Sequence, residues 1–504
     1  MAVSLDPAEK RGLGIGAVVV AGSGLISQFC GLIASILMAR FLGPSEMGLV
    51  ALAVTLTWLP AFIGTYVESG ALIARMAQDD ASRAWAALGV RGLFLAALTL
   101  PLVLYLNPVA TFFVAEVNDR ERWKGLLVAF MAIPFVAAAG AVPALLLRRE
   151  LRLEQLARAE VLGALIYSGG TILGLLSGLG VWAPITAQLA GTGVSAMALW
   201  SSVGYLPPVR PKPVLRAVRP VLREGFRLFF AGALGLIADR LDALIVAASL
   251  GPAALSSYSL AKTAVRIPMG IVAGVSRQVL LPAFATGYGN PEALCGRFFR
   301  LGGVALAPLG LLLMLWGSDL VEFVLGSRWV TAGQCLEVMA LGIVFSPLIF
   351  SGVSFAEAME KGHWTVWMPI LHGVIVALFL PFMAHWGGAV GAAVLDVVVV
   401  VSYAWAAQMV ARRAGLRSST GSLLDVARPF VLGGVLGVPF VAIDFGSFVG
   451  AASWIIASLA YVATYLIALR WVLPSQFAEA WALALAALQG AGRRVYSLCR
   501  QHPR

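Results

Sequence analysis

Six ionisable residues sit inside two long apolar runs: Asp239, Arg240 and Asp242 in the first, Lys262, Arg266 and Arg277 in the second. An ionised side chain near the centre of a bilayer costs at least a few kcal/mol unless it faces water, a partner or a cavity, so each is a candidate for function. Lys262 and Arg266 are i,i+4 neighbours, and Arg277 returns to nearly the same helix face three turns on, which makes a basic stripe. Asp239 and Asp242 share a face at i,i+3, whereas Arg240 points about 100° away from Asp239. Helical rise puts Asp242 to Asp239 roughly 13 to 18 Å from a turn at Gly251, and Lys262 to Arg266 roughly 15 to 21 Å beyond it. The two runs therefore carry charge at matching depth. Pairing inside the cluster would lock two neighbouring helices together. It would leave charge over, because four cations (Arg240, Lys262, Arg266, Arg277) face two anions (Asp239, Asp242). An anionic guest would satisfy the surplus: Arg offers paired planar donors and Lys a compact charge, which together suit a diphosphate.

The other intramembrane charges are lonelier. Asp396 lies in an apolar run and is either a hydrogen-bonded structural group or a proton or sodium site. His372 reads as a core histidine and Glu68 as an interface residue. Cys30, Cys295, Cys335 and Cys499 have no paired spacing that suggests a disulfide framework or a metal site. No nucleophile with its base and no phosphate-gripping glycine loop is visible, so neither an enzyme nor a cofactor is expected. Pro268, just after Arg266, is expected to kink its helix and bend the basic stripe around a cavity.

The elements that carry these residues are transmembrane helices. Of 504 residues, 60% are apolar and 12% charged, against roughly 25% charged in an average soluble domain. Continuous runs long enough to cross the hydrocarbon layer as helices recur along nearly the whole chain, which predicts an all-α polytopic membrane protein. About fourteen spans are expected: 13–39, 47–68, 85–106, 125–147, 160–179, 183–204, 229–249, 254–282, 299–317, 333–355, 364–385, 388–410, 429–447 and 450–471. Loops that follow even-numbered spans collect the cations, among them Arg75, Arg83, Arg148, Arg149, Arg152, Arg158, Arg210, Lys212, Arg216, Arg219 and Arg223. The positive-inside bias assigns those loops, and both termini, to the cytoplasm. The net charge of +11 is thereby accounted for without nucleic acid. A tail from Ser475 to Gln489, basic beyond it, suits a helix lying on the inner leaflet among membrane lipids.

An internal repeat relates the first two spans to the seventh and eighth. Ala39, Leu42, Gly43, Pro44, Leu52 and Ala53 fall on Ala247, Leu250, Gly251, Pro252, Leu260 and Ala261 at a constant offset of 208 residues. Six helices separate the copies, so both have the same orientation and an axis along the membrane normal should relate the two lobes. The expected organisation is an N-terminal six-helix lobe (1–208), a basic cytoplasmic linker (209–225), a C-terminal six-helix lobe (226–412), two additional helices (413–473) and a basic amphipathic tail (474–504).

The segment from Ala39 to Ala53, ARFLGPSEMGLVALA, resembles the first turn of bacterial polysaccharide transporters, and Asp239–Asp242, Leu250–Pro252, Tyr258–Ala261 and Leu281–Phe284 resemble its second copy. These are the O-antigen and exopolysaccharide flippases of the superfamily that includes the MATE multidrug antiporters and the lipid II flippase. The resemblance implies two pseudo-symmetric lobes around a central cavity, and alternating access that carries a polyprenyl-diphosphate-linked oligosaccharide across the bacterial inner membrane. It implies a diphosphate-binding role for Arg240, Lys262 and Arg266, with Arg277 on the same stripe, and charge balance or ion coupling for Asp239, Asp242 and Asp396. Polysaccharide polymerase or export machinery would be the protein partner. The lipid II flippase also has basic residues in its first lobe, where the first two spans here offer only Arg40 and Arg75 at their ends. A drug or metabolite antiporter of the same fold is the alternative, one that would favour acidic cavity residues.

Overall fold

The computed structural model describes residues 7–73, 80–150, 152–205, 211–287, 289–361, 367–416, 421–441 and 451–482. Every regular element among them is helical. That follows from the solvent: without water to satisfy free peptide groups, a spanning segment must close its backbone hydrogen bonds within itself.

In chain order the helices are α1 (Pro7–Phe41), α2 (Pro44–Ile73), α3 (Asp80–Leu104), α4 (Leu106–Phe113), α5 (Val117–Ala139), α6 (Ala141–Arg149), α7 (Leu153–Leu176) and α8 (Ala183–Val203). There follow α9 (Pro211–Val275), α10 (Leu281–Ala285), α11 (Pro291–Leu325), α12 (Val330–Ala340), α13 (Ser346–Ala358), α14 (Trp367–Arg413), α15 (Gly421–Val441) and α16 (Ala451–Val472). Each span read from the sequence falls on helix over most of its described length. Among the described residues, eight helices are long and apolar enough to cross a membrane, or nine if a bent C-terminal pair counts as one. Two of these apolar segments, Arg240–Ala285 and Trp367–Arg413, contain 46 and 47 residues, and about 20 suffice for one crossing. Each is longer than one crossing needs, and each is broken by a glycine with positive φ: Gly251 (φ 82°, ψ 179°) in α9 and Gly388 (φ 58°, ψ −143°) in α14. Residues with a side chain rarely adopt those angles, so glycine sets the place of each turn.

The basic segment read as a linker is helical from Pro211 onward. Ala217 and Val221 bury one of its faces against α3, α6 and α8 side chains, while Lys212, Arg216, Arg219 and Arg223 are exposed. Arg83, read as a loop cation, lies in the first turn of α3 and is buried. The backbone of α9 keeps helical φ/ψ through Pro268, and a π-helix follows at Ser276–Leu280. Proline at this position removes one backbone hydrogen bond without breaking the helix.

The chain forms two compact units, residues 1–257 with 324–328 and residues 258–323 with 329–504. In the first, the two repeated turns pack on each other in a reciprocal way. Ser256 Oγ donates to the Pro44 carbonyl at 2.7 Å. Gly48 lies so close to Pro252 that a Cβ there would overlap the Pro252 carbonyl. Positions 48 and 256, and positions 44 and 252, differ by the repeat offset of 208 residues, so the same position in each copy touches the same position in the other. A self-complementary contact of that kind is what a two-fold relation between copies produces. Around it, Arg122 bonds Glu46 at 2.9 Å and Arg40 Nη1 donates to the Val324 carbonyl at 3.3 Å.

In the second unit, α15 and α16 pack on α11 around Trp316, Tyr461 and Tyr465. Tyr461 and Tyr465 donate to the carbonyls of Gly433 (3.3 Å) and Val304 (3.4 Å), which gives each buried phenol the partner it needs. A final helix, α17 (Pro474–Ala482), turns by 118° from α16. Arg300 and Arg297 bind its Glu479 at 3.0 and 3.4 Å. The expected tail helix is thus present as far as it is described, and residues 483–504 lie outside the described residues.

Candidate functional site

Each unit holds part of the predicted cluster. In the first unit, Asp242 is buried and its Oδ1 accepts from the Ala243 amide at 2.7 Å. Arg240 stacks on the indole of Trp58, its guanidinium carbon 4.9 Å from the ring centroid. Trp58 in turn stacks on Phe62, one turn along α2, with centroids 4.8 Å apart. A guanidinium over a Trp face gains about 0.5 to 2 kcal/mol and is held in a fixed plane, the condition for two-pronged binding of an oxyanion. The side chains of Asp239 and Glu68 lie outside the described ones.

In the second unit, the segment of α9 after Tyr258 divides into two faces. Tyr258, Ala261, Val265 and Val272 are buried. Ser259, Lys262, Thr263 and Arg266 form the other face, with Thr263 and Arg266 exposed and Gly270 leading on to the exposed Arg277. Helical periodicity alone would make the stripe. Its exposure in a segment otherwise packed with aliphatic side chains shows that this face is not part of the bundle core. Lys262 Nζ is 3.1 Å from Asp396 Oδ1 on α14, and Tyr258 donates its hydroxyl to the same oxygen at 3.4 Å. The ammonium also lies 5.6 Å from the Tyr258 ring centroid. Asp396, lonely in the sequence, is therefore a partner of Lys262. Arg277 is the second residue of the π-helical turn Ser276–Leu280. His372 makes an edge contact with Tyr403 at 6.3 Å, in keeping with a core role.

Two residues escaped the sequence reading. Trp58 gave no signal, since a Trp in a spanning helix is ordinary. Arg91 did give one, as a cation inside the third span; it is buried on the face of α3 that carries Ala87 and Leu95. Among the described residues no group of His, Cys, Asp and Glu has metal-site geometry. The structure thus offers cations presented from half-buried positions, one with a carboxylate counter-ion and one on an aromatic platform.

Residues 37–334 match the profile of the family described as polysaccharide biosynthesis protein. The succinoglycan biosynthesis transport protein ExoT of Rhizobium meliloti (strain 1021) is 25% identical over 384 residues, 73% of this chain and 74% of that protein. Among solved structures, the lipid II flippase MurJ in an inward closed conformation superposes with a TM-score of 0.71, at 13% identity, over 90% of this chain and all of its own. An inward-facing multidrug resistance MATE transporter gives 0.58, at 15% identity, over 80% of this chain and all of its own. These two likenesses establish the fold, which is the all-helical fold shared by that lipid II flippase and that MATE transporter.

Proposed function

The chain belongs to the polysaccharide biosynthesis protein family, and from that premise we propose that it is a flippase for polyprenyl-diphosphate-linked oligosaccharide repeat units. It is a multi-pass membrane transporter rather than an enzyme, as its family and its transporter relatives are. The finer reading assigns it to the bacterial inner membrane with both termini in the cytoplasm. It has two six-helix lobes (1–208 and 226–412), and α15 and α16 added to the second.

The observation that carries the substrate class is the exposed polar face of α9 with Lys262 and Arg266 one turn apart. Cations deep in a membrane protein bind anions or lock helices, and only the first use requires the side chains to remain reachable. The seventh, eighth and twelfth spans read from the sequence carry four cations and, with Asp396 counted beside Asp239 and Asp242, three carboxylates. A diphosphate linkage supplies the missing negative charge and suits the mixture of Arg and Lys. Arg240, Lys262, Arg266 and Arg277 are proposed to hold it, and Asp239, Asp242 and Asp396 to balance charge when it is absent. The indole of Trp58 orients Arg240, so the first repeat contributes an aromatic surface to that cation. A drug antiporter built on this fold would have no use for a cation surplus.

The test is export in cells. Lys262→Ala and Arg266→Ala should each abolish surface polysaccharide while the protein stays at wild-type level in the membrane. Normal surface polysaccharide in both variants would reject the diphosphate assignment.

A further inference from the structure

We propose that Asp396 is a displaceable counter-ion: its carboxylate holds Lys262 in the empty transporter and yields it to the diphosphate of the substrate. The inference rests on the flippase reading above and adds a role to one residue of that site. Asp396 is the one acidic residue in the sequence of α14, and it meets Lys262 at 3.1 Å. Lys262 lies 11 residues beyond the Gly251 turn and Asp396 eight beyond the Gly388 turn, so helical rise puts them roughly 16 and 12 Å along two helices that start from like-placed turns. Neither would tolerate solitude there, since an uncompensated charge in the membrane interior is costly.

The pair is nonetheless not sealed. The side chains keep 18% and 13% of their exposure, and Lys262 shares its helix face with the exposed Arg266 and Thr263. A pair that only clamps two helices has no need of that access, whereas one that exchanges partners does. An ammonium can exchange one carboxylate for a doubly charged ligand, especially where a guanidinium one turn away adds paired donors. Tyr258, which donates to the same oxygen at 3.4 Å, remains to bond the released carboxylate, which lowers the cost of the exchange. After translocation the carboxylate recaptures Lys262 and favours release, so one ion pair serves both ends of the cycle without a second site.

Purified protein in lipid nanodiscs, titrated with undecaprenyl diphosphate, tests the exchange by intrinsic fluorescence. Asp396→Asn should bind about tenfold more tightly than wild type, because the competitor is gone, and should export less polysaccharide because release slows. Lys262→Gln should bind at least tenfold more weakly. The double variant should match Lys262→Gln, since Asp396 acts through Lys262. A second measurement needs no substitution: labelling of Asp396 by dicyclohexylcarbodiimide in the wild type should rise several-fold on adding the diphosphate, as the carboxyl leaves the ammonium. Wild type that binds the probe, with Asp396→Asn no tighter or with labelling unchanged, overturns the counter-ion role alone. Wild type that does not bind the probe overturns the flippase reading together with it.

Discussion

At the scale of residues, the site is organised by what each cation rests on. Lys262 rests on a carboxylate, and Arg240 rests on the face of an indole. These are different tethers. A carboxylate competes with an anionic guest for the same donors, whereas an aromatic face binds the cation without taking up its N–H donors. Trp58→Ala should therefore weaken binding of undecaprenyl diphosphate by about three- to tenfold, the equivalent of roughly 0.7 to 1.4 kcal/mol. Trp58→Phe should recover most of the loss; a Phe variant as weak as the Ala variant would assign Trp58 a packing role only. Lys262 and Arg240 also differ in their expected response to conservative exchange. Arg240→Lys should fail to restore export, because the ammonium lacks both the planar fork and the preference for stacking.

At the scale of elements, the two repeated turns behave as one contact made twice. Ser256 bonds the Pro44 carbonyl and Gly48, which has no room for a side chain, admits the Pro252 backbone. Gly48→Val puts branched carbon where the Pro252 carbonyl sits, and overpacking of that kind costs about 1 to 3 kcal/mol in whichever state makes the contact. Cysteine accessibility across the two turns should rise in this variant, while Ser256→Ala, which loses one hydrogen bond, should shift it in the same direction by less. Unchanged accessibility in Gly48→Val would mean that the contact is incidental. The C-terminal helix α17 is held by the pairs from Arg300 and Arg297 to Glu479 and by Phe477 in the apolar cluster. Because these pairs are partly exposed, Glu479→Gln should lower the melting temperature only slightly, by about 1 kcal/mol or less of stability. Its clearer effect should be faster proteolysis beyond α16.

At the scale of the whole molecule, the proposed topology has an even number of crossings, with Arg and Lys collected on one side and both chain ends in the cytoplasm. Reporter fusions after residue 413 and at the C-terminus should both report a cytoplasmic location, and fusions in the turns at Gly251 and Gly388 a periplasmic one. A reversed result at either turn would overturn the topology.

Much of this architecture is settled by composition. A chain with 60% apolar residues in long runs can satisfy its backbone in lipid only as helices, and the six identities at an offset of 208 residues mark where the copies begin. The glycine turns were legible for the same reason, because Gly251 and Gly388 interrupt apolar runs too long for a single crossing. The basic stripe was legible too, since helical periodicity alone aligns Lys262 with Arg266. What periodicity cannot supply is the identity of a partner from a distant helix. Asp396 lies 134 residues from Lys262, and Trp58 lies 182 residues before Arg240. Nothing local in either helix encodes the other, and the pairings exist only because helix packing brings distant turns to one depth. The same holds for Gly48 and Pro252: the repeat could be read along the chain, but that its two copies touch was decided by the tertiary structure.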